Sequence, residues 1–253
     1  MENREPSFLD LLLETHIGLE RQGPGSPEAV DRALGFLGPL DRFRETADLG
    51  CGTGGQTLLL AERLPGRITG LDMFPAFAEE LSRKAGERGL GDRVSGIAGD
   101  MARLPFEKDS LDLIWSEGAI DNIGFREGLS HWRGFLRENG CIAVTCPSWL
   151  TEERPEEAER FWTDAGSRLD PVEDNTGIMQ ECGYAFIAAF ALPEECWTDN
   201  YYAPRAKAIE SLLKKYPGSE TAKQYAELNR REVDLYMKYK QHYGYVFYIG
   251  RAV

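Results

Sequence analysis

Seven residues, Asp48-Leu49-Gly50-Cys51-Gly52-Thr53-Gly54, stand where an apolar stretch gives way to a helical one. Their glycines let backbone N–H groups and the positive end of a helix dipole approach an anionic or carboxylate-bearing ligand closely. Gly50, Gly52 and Gly54 supply the turn. The same stretch also satisfies the dinucleotide fingerprint through Gly50, Gly52 and Gly55, with Asp72 about 20 residues on, where a ribose-binding acid belongs. Taken alone, the loop does not choose between a dinucleotide and another ligand.

Further carboxylates follow at the ends of apolar runs, where ligands sit in open α/β sheets. Asp100-Met101 comes after one run and Glu117 after the next, with Asp121-Asn122 within a turn of it. A carboxylate in such a place can act as a general base, and Glu117 and Asp121 are the candidates. Asp121-Asn122-Ile123-Gly124 reads equally well as a cap on the following helix. Trp149 could cover an acceptor pocket or pack in the core. His16 and Gln22, beside the turn Gln22-Gly23-Pro24-Gly25, are candidates for an N-terminal lid that touches substrate.

The elements that must hold these residues alternate. Apolar periodicity predicts a helix over 8–19, and Ser26-Pro27 gives an N-cap and first-turn proline for a helix through 37. From residue 46 the pattern becomes strand (46–49), helix (55–64), strand (67–71), helix (75–86) and strand (94–97). A strand at 111–115, a helix at 125–137, the turn Glu138-Asn139-Gly140 and a strand at 141–146 continue it. That order predicts βαβ units on a parallel sheet. Helices at 153–169 and 175–182 precede a sixth strand at 184–192. Helices at 205–215 and 219–239 then form an insertion before a last strand at 245–249. The expected fold is a seven-stranded, doubly wound α/β sheet with N-terminal helices and a helical insertion between strands six and seven. The single domain divides into an N-terminal cap (1–44), an α/β core (45–192 and 244–253) and the insertion (197–243). Tyr225, Tyr236, Tyr239 and Tyr243 lie partly on one face, suited to packing on the domain, to a homodimer contact or to a substrate wall.

With these motifs in place, residues 46–148 resemble the class I, Rossmann-like S-adenosylmethionine-dependent methyltransferases, nearest to their small-molecule branch. The family's acidic-x-Gly-x-Gly-x-Gly motif is matched in full from Asp48 to Gly54, and its acid at the end of strand two by Gly70-Leu71-Asp72. Gly99-Asp100-Met101 falls where members contact the adenine amino group, and Phe135-Leu136-Arg137-Glu138-Asn139-Gly140 resembles the family's Leu-x-Pro-Gly-Gly turn without its proline. The resemblance implies that Asp72 accepts both ribose hydroxyls with Met73 beside it, that Asp100 accepts from adenine N6 under Met101, and that Gly50 and Gly52 face the amino-acid portion. Glu117 would border the methionine end or the acceptor. The reaction implied is methyl transfer by in-line displacement, in which positioning supplies up to about 7–11 kcal/mol. A nicotinamide-dependent oxidoreductase and a non-catalytic cofactor-binding protein use the same glycines and stay open.

Composition narrows the partners. A net charge of −13 repels a phosphate backbone, so nucleic acid and anionic membranes are poor partners and a small-molecule acceptor is favoured. The start Met1-Glu2-Asn3-Arg4-Glu5-Pro6 lacks a charged-then-apolar leader, and the expected location is cytoplasmic. Five cysteines without a C-x-x-C pair predict reduced buried thiols, Cys146 among them, and no metal cluster is visible.

Overall fold

The computed structural model describes residues 5–253; the first four residues of the N-terminal stretch lie outside it. The chain opens with α1 (Phe8–Ile17), whose N-cap Ser7 accepts from the Asp10 N–H while the Asp10 carboxylate accepts from the Ser7 N–H. That reciprocal pair satisfies two otherwise orphaned donors. Ser26 caps α2 (Pro27–Gly35) by accepting from the Ala29 N–H, without a reciprocal bond, and Pro27 stands in the first turn as predicted.

Alternation then runs β1 (Glu45–Leu49), α3 (Gly55–Arg63), β2 (Arg67–Asp72), α4 (Pro75–Glu87), β3 (Val94–Ala98), β4 (Leu111–Ser116), α5 (Phe125–Arg133) and β5 (Leu136–Trp149). After α6 (Glu156–Asp164), the two-residue β6 (Asp170–Pro171), α7 (Val172–Glu181) and β7 (Tyr184–Ala191), the insertion supplies α8 (Glu195–Trp197), a π turn over Thr198–Tyr202, α9 (Ala203–Lys215) and α10 (Glu220–Tyr239). The last strand is β8 (Tyr243–Ala252). The sheet order is β3-β2-β1-β4-β5-β8-β7, with β6 paired to β5 off this path. β1 to β5 are parallel, and β8 enters antiparallel between β5 and β7. The seven expected strands form the main path, and β6 is the addition.

Alternate residues of the central strands serve two cores, as a sheet covered on both faces requires. Leu113, Trp115, Phe247 and Ile249 face the layer that includes α2 and the insertion; Ile114, Ile142, Val144 and Tyr248 face α5 and α7. One prediction shifts locally. The helix expected over 125–137 ends at Arg133, and the expected turn at 138–140 lies inside β5 as an irregularity. Asn139 takes φ 62° and the β4–β5 register slips between Leu111 and Leu113. An asparagine tolerates that left-handed conformation well enough to sit in a bulge.

The insertion packs on its own domain: Trp197 stacks on Tyr236 at 4.3 Å and on Tyr245 at 5.2 Å. Strand order reverses between β1 and β4, which puts the crevice for a ligand beyond their carboxyl ends. Among the described residues, no helix is long and apolar enough to cross a membrane.

Candidate functional site

β1 delivers its glycine loop into that crevice. Gly50, Gly52 and Gly54 have φ of 74°, 53° and 87°, conformations that L side chains resist. Space forbids a side chain as well, since a Cβ on Gly50 would lie 2.3 Å from the Ala119 Cβ. Asp48 is fully buried beneath the loop, accepting from the Thr57 hydroxyl at 2.5 Å. Its Oδ1 has no hydrogen-bond partner among the described residues. Burial first, and the nearby Glu117 charge second, push its pKa up to about 7 against the pull of Thr57.

Asp72, at the end of β2, is fixed by two backbone donors. Its Oδ2 accepts from the Gly52 N–H and its Oδ1 from the Phe74 N–H, both at 2.9 Å. The carboxylate therefore braces the glycine loop while still lining a cleft of ≈ 560 Å³, inside the usual range of about 300–1,000 Å³ for small-ligand sites. Burial raises its pKa, partly offset by those two N–H groups. Met73 and Met101 line the same cleft as apolar walls.

The segment after α1 straps the loop down. Gln22 Oε1 accepts from the Thr53 N–H at 2.9 Å, while its Nε2 donates to the carbonyls of His16 and Leu19 and to the Thr53 hydroxyl. Gly55 follows from the same strap, because a Cβ there would lie 2.2 Å from the Glu20 carbonyl oxygen. His16 lines the cleft, donating Nδ1–H to the Leu12 carbonyl at 2.9 Å, and burial lowers its pKa. Gln22→Ala is expected to lower stability by about 1–3 kcal/mol, the cost of buried groups left unpaired. Urea denaturation measures it, and limited proteolysis should then cut the strap faster; an unchanged midpoint would mean that the strap is held elsewhere.

Two features of the cleft go beyond the residues predicted for it, although Tyr225 belongs to the face expected to suit a substrate wall. Arg21 pairs with Glu117 at 2.9 Å, both side chains nearly sealed from solvent, and Trp115 Nε1 donates to the other Glu117 oxygen at 2.8 Å. Arg21 lies 96 positions from its partner in a turn, without periodicity to mark it. The second feature is a wall built from the insertion, carrying Tyr201, Arg205, Tyr225, Asn229 and Glu232. Spacings of four and seven residues put these on one face of each helix, a pattern equally expected of plain packing.

Five predicted site residues lie outside the cleft lining: Asp48 is buried beneath the glycine loop and Gly54 at its helix end, and three others stand elsewhere. Asp121 sits on a 3₁₀ turn (Ile120–Asn122), where neighbouring side chains diverge by about a third of a turn. Asn122 reaches the cleft, whereas Asp121 borders a second cavity with Cys146 and Asn175, accepts from the Ser167 hydroxyl at 3.1 Å and has its pKa raised by burial. Trp149 is buried, edge-on to Tyr243, and lines a separate cavity with Trp162; its odd position in β5 points it into the core. Asp100 is exposed outside the cleft lining, with its Oδ1 accepting from the Ala102 N–H.

The fold is an open α/β sheet with the cleft at the switch between β1 and β4. Residues 47–140 match the family model described as "Methyltransferase domain". A SAM-dependent methyltransferase from Geobacter sulfurreducens, solved with S-adenosyl-L-homocysteine, superposes with a TM-score of 0.83 over 96% of this chain and 98% of that one, at 22% identity. The fold is therefore the Rossmann-like methyltransferase fold. Among curated relatives, trans-aconitate 2-methyltransferase of Streptomyces avermitilis is 38% identical over 103 residues, 40% of this chain and 38% of that protein. The probable chloroplastic tocopherol O-methyltransferase of Oryza sativa subsp. japonica is 37% identical over 91 residues, 34% of this chain and 25% of its own length. The chain thus spans well under two thirds of the curated relatives it matches.

Proposed function

We propose that this protein transfers a methyl group from S-adenosylmethionine to a small-molecule acceptor by in-line displacement. The observation that carries the reading is the state of the glycine loop: the Gly52 N–H is taken by Asp72 and the Thr53 N–H by Gln22. A pyrophosphate needs such N–H groups free at the helix N-terminus, so the loop is closed to a dinucleotide in the fingerprint's manner. Gly55, which completes that fingerprint, is accounted for by the strap. Acidic Asp72 and Glu117 beside the loop suit a ligand that carries a sulfonium and an ammonium better than one that carries two phosphates.

When bound, S-adenosylmethionine supplies an electrophilic methyl group with a neutral thioether as leaving group. Asp72, held rigidly by two backbone bonds, accepts from the ribose diol in charge-assisted bonds. Met73 and Met101 flank the purine, and Asp100, outside the cleft lining, has no part in this reading. Glu117 meets the ammonium of the amino-acid end, and Arg21 fixes the Glu117 carboxylate and offers its other N–H groups to the ligand carboxylate. The insertion, having spent much of its aromatic face on the domain, forms the acceptor wall rather than a dimer contact. Asp121 has no part as base in this reading, since its carboxyl faces the neighbouring cavity. The relatives' names cover aconitate, geranyl diphosphate and tocopherol, all small molecules, methylated at different atoms.

Titration calorimetry with S-adenosylhomocysteine, NAD and NADP tests the cofactor, with S-adenosylhomocysteine expected to bind alone. Labelled methyl groups should then pass from the cofactor into a metabolite extract. Preferential binding of NAD or NADP would sink the proposal.

A further inference from the structure

The insertion presents one charged group that the cofactor assignment leaves unused. Arg205 lies on the cleft wall and is 3% exposed. Its Nη1 donates to the Tyr201 hydroxyl at 2.7 Å and to Glu232 Oε2 at 2.9 Å, and its guanidinium lies over the rings of Tyr201 and Tyr202, at 4.5 and 5.0 Å. Nη2 is buried and has no partner among the described residues. Folded proteins seldom leave a buried guanidinium nitrogen unpaired, so a further acceptor is expected at Nη2.

We propose that Arg205 is a specificity-determining anchor for a carboxylate of the methyl acceptor, an inference that rests on the methyltransferase reading above. Glu232 engages the guanidinium through one oxygen at Nη1, which leaves Nη2 without a partner among the described residues and available, once reached from the cleft, to a second, side-on carboxylate. Charge argues for a monoanion. The same cleft holds Glu232, Glu117 and Asp72, and Glu117 already neutralises Arg21, so a phosphate dianion would meet more repulsion than a single carboxylate. Asn229 stands on the same wall with its Nδ2 committed to the Tyr225 carbonyl. Its oxygen is left to receive a hydroxyl or a protonated acid group of the same ligand.

A carboxylate at Arg205 could belong either to the acceptor or to the cofactor's amino-acid end, and two titrations separate them. In the first, S-adenosylhomocysteine binds wild type and Arg205→Gln within about twofold of each other. In the second, run with and without S-adenosylhomocysteine, wild type binds at least one of acetate, butyrate and benzoate. Arg205→Gln then loses that binding by at least tenfold, and Arg205→Lys, which keeps the charge without the fork, recovers only part of it. Inorganic phosphate is the control anion and should bind more weakly than the carboxylate. Loss of S-adenosylhomocysteine affinity in Arg205→Gln would assign the residue to the cofactor and overturn the proposal. So would carboxylate binding that is absent from wild type, equal in all three proteins, or weaker than that of phosphate. If Arg205→Gln fails to fold, Arg205→Lys carries the comparison alone, and wild-type carboxylate affinity in Arg205→Lys would overturn it. Failure of wild type to bind S-adenosylhomocysteine sinks the methyltransferase reading instead, and the titrations without cofactor still decide the role of Arg205.

Discussion

Asp72→Ala is expected to weaken S-adenosylhomocysteine binding by at least about 100-fold. Two charge-assisted bonds to a ribose diol contribute about 1.5–3 kcal/mol each, and each 1.4 kcal/mol is tenfold in affinity. The substitution also removes the acceptor of the Gly52 N–H and so loosens the loop that the ligand must approach. Asp72→Asn should rescue little. Both carboxylate oxygens receive a backbone N–H, from Gly52 and Phe74. An amide must turn its own NH₂ toward one of those donors, which replaces a bond with a repulsion. Calorimetry gives the affinity, and thermal unfolding of each variant separates loss of the ligand from loss of the fold. A folded Asp72→Ala protein that binds within threefold of wild type would remove Asp72 from the ribose site.

How much of this was legible beforehand follows from the range of the interactions. Asp48 to Gly54 and Asp72 announce themselves because a tight turn and a strand-end acid are local, and local geometry constrains residue type. The sheet was legible for the same reason, through runs of apolar residues spaced by helices. β6 was not, since two residues give no periodicity, and Asp170–Pro171 is placed only by pairing with the far end of β5. Arg21 and Glu117 meet across 96 positions, and Arg205 finds Glu232 on another helix, 27 positions away. An arginine in a turn or on a polar helix face looks solvated in one dimension, and only tertiary packing seals it. For Asp121 and Trp149 the sequence left two readings open: each comes at or after the right end of the right strand, but one side chain's direction on a 3₁₀ turn and another's parity along β5 decide which cavity it meets.

Asp48→Asn is expected to stabilise the unliganded protein at pH 8 by up to about 4 kcal/mol and to have little benefit near pH 4. The folded pKa of Asp48 is about 7 against an ordinary 3.8, with burial as the main cause. Because the native state holds this proton more tightly than the unfolded chain, the group's contribution to stability falls as pH rises from about 4 to about 7, at roughly 1.4 kcal/mol per unit. Asparagine does not titrate, and its carbonyl oxygen can still accept from Thr57, so the variant escapes that decline. Burial also raises Asp72 and Asp121, so wild type has several such contributions, and only the difference between the two proteins isolates Asp48. Urea denaturation at several pH values gives that difference; a difference constant from pH 4 to 8 would mean that Asp48 ionises normally in its pocket. The same buried acid links stability to function. A sulfonium and an ammonium bound above the loop favour the ionised carboxylate, so cofactor binding near pH 6.5 should release a fraction of a proton. Calorimetry in buffers of different ionisation enthalpy should detect that release in wild type and lose most of it in Asp48→Asn. The acid that makes the motif recognisable thus lowers the stability of the empty protein above neutral pH and regains part of that loss when a cationic ligand arrives.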